Sequence, residues 1–385
     1  MQKKLKILFI EPCPVYFGGY FRALNICQGL SNNGHKIDLL VSTNKKFYFG
    51  IEKQKINKNL NLYILPRFYF SVFFQGRLLR AIIAIIFGLK EKYDIYHLAM
   101  PSSPESNIPA LFFKLLNKKT LVIDWDDIYE EGELKTNPIY LKYIKLFEYN
   151  FPSIFKNYCV TSQYLAELAQ KRGATNIVKI INGVNQNQFL LPTPTQAYKQ
   201  TNLDPKLKYI LSIGNTFNGP RGTLLLETFK QLIKKDNTFR LIVNVNPATI
   251  NFPLDKNILN KIVSTGFIPP SELGKYMVVS IGALFLSSNS PVEKAGFPMR
   301  IGSFINGKLP IFAIQNDTEV SRIIDKYKCG VQSDTPINLA NDIIKTLQNK
   351  VLYQKLLNNT IKARESLSVD KLSIQLADYY YSLKT

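Results

Sequence analysis

The sequence predicts an α/β protein of two doubly wound parallel-sheet domains facing a cleft. Three observations predict it. At 385 residues the chain exceeds one ordinary domain. Strand-length apolar runs alternate with helical patterns, as parallel βαβ units require. A polar, proline-containing, aperiodic stretch at 191–205 then separates two such alternating series.

In the first series strands are expected at 5–10, 36–41, 60–65, 94–98, 120–123, 158–160 and 177–181, with helices at 20–31, 104–116, 140–147 and 162–171. In the second, strands are expected at 208–213, 239–245, 281–286 and 309–313, and helices near 223–234, 271–278, 299–305 and 318–326. From Pro336 onward the pattern is helical throughout. The expected division is therefore an N-terminal domain over 1–195, a C-terminal domain over 206–365, and a last helix, 366–385, packing back on the first domain.

A hydrophobic fraction of 46% with 20% charged residues reads as folded and globular. The four cysteines, Cys13, Cys27, Cys159 and Cys329, are scattered without CxxC spacing, which suits a reducing compartment. Only two histidines, His35 and His97, are present, so a two-histidine metal site is a poor fit. Residues 1–10 lack a secretory pattern and read as a buried strand, so a cytoplasmic location is expected. The net charge of +21 is spread evenly, +11 over 1–195 and +10 over the remainder. Even spread is no nucleic-acid arm; it suits anionic substrates or an anionic membrane surface, with plain compositional bias as the alternative. The most apolar segment, 68–89, is interrupted by Arg77 and Arg80 and is too short to span a bilayer. Two readings stay open for it: a peripheral contact with an anionic membrane, or a buried helix.

Four segments carry candidate chemistry. The first strand ends in a loop with Gly18 and Gly19. A second strand ends at Gly214-Asn215 and is followed by Arg221-Gly222 at a helix start. Glycine admits a phosphate to the backbone, a cation neutralises it and a helix start adds free amides; no GKS/T follows, so this is not a nucleotide-triphosphate loop. The third segment is Glu293-Lys-Ala-Gly296-Phe297-Pro298-Met299-Arg300, where Pro298 suits a first helical turn. Glu293 reads as a partner for sugar hydroxyls or as a solvated loop carboxylate, and Arg300 as a charge balance. The alternative for Arg221 is a solvated arginine in an ordinary βα turn. Asp124, Asp126, Asp127, Glu130, Glu131 and Glu133 form an acidic cluster with a DxD at Asp124–Asp126. Asp126 and Asp127 are candidates to orient an acceptor hydroxyl, with a structural loop role as the alternative.

Taken in order, these motifs resemble family-4 (group 1) glycosyltransferases over nearly the whole chain. Tyr16-Phe-Gly-Gly19 and Gly34-His35 resemble the family's first loop and the GH before its second strand. Asp94-Ile-Tyr-His97, Cys159-Val-Thr-Ser162 and Ile181-Asn-Gly-Val184 resemble three further elements, and Gly214…Arg221-Gly222 its phosphate loop. Phe297-Pro-Met-Arg300 with Asn306-Gly-Lys-Leu-Pro310 resembles its donor segment. The resemblance implies two Rossmann-like domains of the GT-B fold and no cofactor or metal beyond a nucleotide diphosphate sugar donor. It implies transfer of a sugar, with retention, to a saccharide or lipid-linked acceptor in glycan or cell-surface polysaccharide synthesis. With the residue readings above, donor binding is expected at Gly18, Gly19, Gly214, Asn215, Arg221, Gly296, Phe297, Pro298, Met299, Arg300 and Ser303. Catalysis falls to Asp126, Asp127, Glu293 and Arg221, and acceptor contact to His97 and Asp126.

The chain departs from the family in three places. The second acid of the family's E-x7-E falls on Ile301 or, counted from the proline motif, on Ser303. Asn215 replaces an arginine, and Asp126 stands where a histidine is common. The missing acid motivates an alternative reading, a catalytically silent subunit that binds a partner or lipid carrier.

Overall fold

A computed structural model describes residues 3–68, 76–116, 120–129, 138–214, 217, 219–245 and 256–384. Asn215, Glu130, Glu131, Glu133 and residues 69–75 of the apolar segment lie outside the described residues. The chain divides into two compact units. Unit 1 comprises Met1–Gly183, Lys294–Met299 and Val369–Thr385, and unit 2 comprises Val184–Glu293 and Arg300–Ser368.

Unit 1 runs β1 (Lys6–Pro14), α1 (Gly18–Asn32), β2 (Lys36–Ser42), β3 (Glu52–Asn57), β4 (Leu60–Leu65), α2 (Arg77–Lys90), β5 (Ile95–Ala99), α3 (Pro104–Leu115), β6 (Thr120–Trp125), α4 (Pro138–Ile154), β7 (Asn157–Val160), α5 (Gln163–Lys171) and β8 (Asn176–Lys179). Unit 2 contains α6 (Pro194–Thr201), β9 (Lys208–Ser212), α7 (Gly219–Lys235), β10 (Phe239–Val243), α8 (Lys256–Leu259), β11 (Ile262–Ser264), α9 (Leu273–Val279) and β12 (Ser280–Phe285). After the Lys294–Met299 insert, which takes in the end of α10 (Pro291–Ala295) and the first residue of α11 (Met299–Asn306), unit 2 continues with β13 (Ile311–Ile314), α12 (Glu319–Tyr327), β14 (Gly330–Ser333), α13 (Pro336–Gln348) and α14 (Lys350–Ser366). The closing helix, α15 (Val369–Ser382), belongs to unit 1.

Among the described residues, unit 1 holds an eight-stranded sheet of order β3-β4-β2-β1-β5-β6-β7-β8, parallel except for β3 against β4. Ile7, Leu8 and Phe9 of β1 have no exposed surface, because helices cover both faces of a parallel sheet. Ala23, Ile26, Cys27 and Leu30 repeat at helical spacing on α1 and fill one face, joined there by Leu376, Ala377 and Tyr380 of α15. Unit 2 holds an all-parallel sheet, β11-β10-β9-β12-β13-β14, with its own core of Phe229, Leu241, Leu284 and Phe312 among others. Strand order reverses at β1/β5 in unit 1 and at β9/β12 in unit 2. In such sheets ligands bind beyond the carboxyl ends of the strands at this reversal.

Several expectations change. The stretch 191–205 is not an unstructured linker. It contains α6, whose Thr193 forms a capping box with Gln196 and whose Pro194 opens the helix. Only Ala197 of α6 is buried, so the helix lacks the apolar stripe that reveals helices in sequence. The strand β3, EKQKIN, was not expected. It is an exposed edge strand without an apolar face. The strands β11 and β14, three and four residues long, were also missed.

Candidate functional site

The reversal point of unit 2 gathers basic groups around one carboxylate. Gly214, just past β9, has φ +91°, and a Cβ there would lie 2.8 Å from Arg300 Nη1. Only glycine meets both demands. Its N–H donates to Asn244 Oδ1 at 2.8 Å, which fixes the turn. Arg221, in the first turn of α7, donates from Nε to Glu293 Oε1, a carboxylate carried on the segment after β12. Arg300 stacks its guanidinium 5.2 Å from the centre of the Phe285 ring. Burial, with Arg221 beside it, pulls the Arg300 guanidinium down to about 10. Arg300 Nε and Glu293 Oε2 are buried with no hydrogen-bond partner among the described residues. Arg221 is paired with Glu293, while Arg300 lies within electrostatic reach of both without an ion pair to Glu293, so positive charge exceeds negative at this strand-to-helix turn among the described residues.

Ser303 is buried and donates to Gln188 Oε1 at 3.0 Å, and Ile301 has no exposed surface. Neither position therefore presents a polar group to a ribose, which corrects the expectation for Ser303. Gly296, Phe297, Pro298 and Met299 belong to unit 1. There Asn182 Nδ2 donates to the Phe297 carbonyl and Thr161 Oγ1 to the Ala295 carbonyl. The donor-binding candidates are thus divided: Gly214, Arg221, Arg300 and Ser303 in unit 2, and Gly18, Gly19 and 296–299 in unit 1.

In unit 1, Gly18 and Gly19 open α1. A Cβ on Gly19 would meet Cys13 Sγ at 2.8 Å and Glu11 Oε1 at 3.0 Å, whereas Gly18 has open space. Beneath them lies a buried polar network that sequence reasoning missed. Arg22 of α1 grips Asp124 with two bonds, Nε to Oδ2 at 3.0 Å and Nη2 to Oδ1 at 2.7 Å. Its Nη1 donates to the Ile180 carbonyl and to Asn182 Oδ1, both at 2.9 Å. A lone arginine within the apolar face of α1 was the available signal.

His97 has no exposed surface. Its ring stacks on Phe9 at 4.2 Å, its Nδ1 sits 2.7 Å from the Tyr380 hydroxyl, and its Nε2 lies 3.3 Å from Asp124 Oδ2 without hydrogen-bond alignment. It is a strut of the core, and its assignment to acceptor contact is corrected for that reason. Asp126 and Asp127 follow β6. Asp127 Oδ1 accepts from the Ile128 N–H at 2.9 Å. Asp126 is half-buried as a residue, yet its Oδ1 is sealed from solvent and has no hydrogen-bond partner among the described residues. Burial raises its carboxyl above the ordinary range, Arg22 opposing and Asp124 reinforcing the shift. Glu11, within β1, is raised by burial and by Asp126.

His97, Asp124 and Cys159 bring donor atoms within 4.8 Å of one another, close enough for a metal ion. Arg22 already holds both Asp124 oxygens and lies 3.6 Å from Cys159 Sγ, and burial raises the Cys159 thiol. A cation there would face a guanidinium, so the set does not fit a metal. The same contacts remove Asp124 from a DxD metal site.

No family model matches the chain, and no curated protein matches its sequence. Solved structures do match along its whole length. A glycosyltransferase from Rickettsia africae aligns at TM-score 0.71 and 15% identity, covering 100% of both chains. Sucrose-phosphate synthase from Thermosynechococcus elongatus aligns at 0.69 and 13%, covering 99% of each. The Anabaena protein HepE, solved with UDP-glucose, aligns at 0.68 and 14%, covering 98% of this chain and 100% of that one. The chain has the GT-B fold. At these identities the likeness is one of fold, and within GT-B the residues of each site must carry the functional argument.

Proposed function

We propose that this protein is a glycosyltransferase moving a hexose-type unit from a nucleotide diphosphate sugar to a saccharide or lipid-linked acceptor, with retention and without a metal. The observation that carries the reading is the Arg221–Glu293–Arg300 cluster at the Gly214 turn. Arg221 and Arg300 take the diphosphate, whose oxygens compete with Glu293 for Arg221. Glu293, released from the ion pair, then bonds sugar hydroxyls. As the sugar–phosphate bond breaks, the two guanidiniums stabilise charge on the leaving diphosphate. Asp126 and Asp127 orient the acceptor hydroxyl in unit 1. HepE, solved with UDP-glucose, makes UDP-sugars the first donors to test.

Arg221→Ala and Glu293→Gln are each expected to lower transfer by about a hundredfold or more, by analogy with the loss of one preorganised charge partner. Arg221→Ala should also abolish the rise in melting temperature that UDP gives the wild type. Wild-type rates in both variants would refute the site, and loss of activity in EDTA restored by Mn²⁺ would refute the metal-free route. UDP binding without turnover of any hexose donor would instead support a silent subunit, the reading that the Ile301 and Ser303 positions favour.

Peripheral membrane association is part of this reading. Leu78, Ile82, Ile86 and Leu89 lie along one side of α2 and are 48–55% exposed, while Arg80, Ala81, Ala84 and Gly88 are buried on the other. No described helix is long and apolar enough to cross a membrane. A solvent-facing apolar stripe on a helix carrying Arg77 and Lys90 fits the headgroup plane of an anionic bilayer.

A further inference from the structure

At the reversal point of unit 1 lies a cavity of about 230 Å³, open to solvent, that the proposed chemistry has not used. It is lined by the end of β1, Pro12 to Pro14, and by Met100, Ser102 and Ser103 after β5. Met100 holds φ +54°, a strained setting for a residue with a side chain, and such strain gathers at functional sites.

The lining is basic. Arg67, Arg77 and Arg80 face it with one carboxylate, Glu105, among the described lining residues. Glu105 is already engaged. Its Oε1 accepts from Arg80 Nη2 at 2.5 Å and lies 4.0 Å from Arg77 Nε, while its Oε2 accepts from the Ser103 hydroxyl at 2.5 Å. Arg80 is fixed further by the Pro66 carbonyl at 2.8 Å and is 4% exposed, so it is a structural cation. Burial brings the Arg80 guanidinium below its usual value; Glu105 opposes the shift, and Arg77 and Arg67 add to it more weakly. Arg77 is different: its side chain is 20% exposed, its guanidinium lies over the Tyr140 ring and it bonds the Tyr140 hydroxyl. Among the described lining residues, three guanidiniums thus converge with one carboxylate. Ser102 and Ser103 lie beside them.

We propose that this cavity binds a phosphate group carried by the acceptor, with Arg77 as its principal ligand. A phosphate matches the planar fork of arginine and the positive charge that Arg67, Arg77 and Arg80 bring to one pocket. The same helix, α2, places Arg77 at one end and the exposed apolar stripe along its length, so a phosphate presented on a lipid meets both. This assignment rests on the transferase reading, since it names the acceptor class of that reaction.

The test is calorimetric titration of the full chain, saturated with UDP so that unit 2 is occupied, comparing wild type, Arg77→Gln and Arg77→Lys. Two probes are used: glucose 6-phosphate, and phosphatidylcholine vesicles with and without phosphatidic acid. Arg77→Gln is expected to weaken binding by about tenfold or more, the cost of one charged hydrogen-bonding partner. Arg77→Lys keeps the charge but not the fork and should lose less; it also reads the site if the glutamine variant fails to fold. Arginine-dependent binding of glucose 6-phosphate assigns a soluble phosphorylated saccharide. Arginine-dependent binding of phosphatidic acid vesicles alone assigns a lipid-borne phosphate. Absence of binding by both probes, or equal affinity in wild type and both variants, overturns the proposal. A protein that shows no affinity for UDP yet keeps the Arg77 dependence would refute a UDP-sugar as the donor and leave this assignment standing.

Discussion

Asp124 and Asp126 stand two positions apart at one strand end, yet their surroundings drive the carboxyls in opposite directions. Burial opposes ionisation of Asp124, but the bidentate Arg22 and neighbouring His97 outweigh it and hold the carboxyl below its ordinary range. Asp126 has no such partner and is raised, as is Glu11, where burial leads and Asp126 adds to it. A carboxyl raised by folding stabilises unit 1 fully below its unfolded value, near pH 4, and that stability is lost as pH rises through the folded value. Glu11→Gln keeps an acceptor for the Cys13 N–H, which Glu11 Oε1 receives at 2.8 Å, and removes the titration. Melting curves across pH 4 to 8 should therefore show wild-type stability falling relative to this variant, by up to about 1.4 kcal/mol per pH unit. A constant difference would show that Glu11 titrates alike in the folded and unfolded chain.

At the scale of elements, α2 and α3 approach so closely that one position admits no side chain. A Cβ on Gly88 of α2 would fall 2.2 Å from Phe113 Cζ and 2.9 Å from Tyr96 Cε1. Phe113 and Tyr96 have no exposed surface, and the Tyr96 hydroxyl donates to the Gly88 carbonyl at 2.7 Å, so the rings have no room to yield. Gly88→Ala is expected to cost roughly 1–3 kcal/mol by overpacking, read as a lower midpoint in urea. Adding Phe113→Leu should recover part of the loss; no recovery would place the strain elsewhere. Elements of this buried kind were legible in sequence, because β1 and α1 advertise themselves by apolar period. The exposed α6 and β3 bury too little to leave such a pattern, although the Thr193–Gln196 capping signal stood in the sequence.

At the scale of the molecule, the charge of +21 and the exposed stripe of α2 act together on any anionic surface. Charge attraction shortens in reach from about 10 Å at 0.1 M salt to about 3 Å at 1 M, while apolar insertion does not depend on that screening. Sedimentation with phosphatidylglycerol vesicles should thus fall as NaCl is raised, and Ile82→Glu with Ile86→Glu should lower the bound fraction further at every salt. Binding indifferent to the double substitution would assign the attachment to charge alone.

Hydrophobic period, turn glycines and motif order are local properties, and from them the sequence by itself determined two α/β domains built on parallel sheets and marked the turn at Gly214 and Arg221 as a candidate site. Which charges meet was decided only in three dimensions. Arg22 finds Asp124 across 102 positions, and Arg221 finds Glu293 across 72. Sheet order brings such partners to one reversal point, and burial then sets what each can do. His97 was thereby enclosed as a core strut and Asp124 neutralised, while Arg67, Arg77 and Arg80 came to line one cavity. A linear pattern records which residues are apolar; the dielectric and the neighbours around each charged group exist only once the strands are ordered.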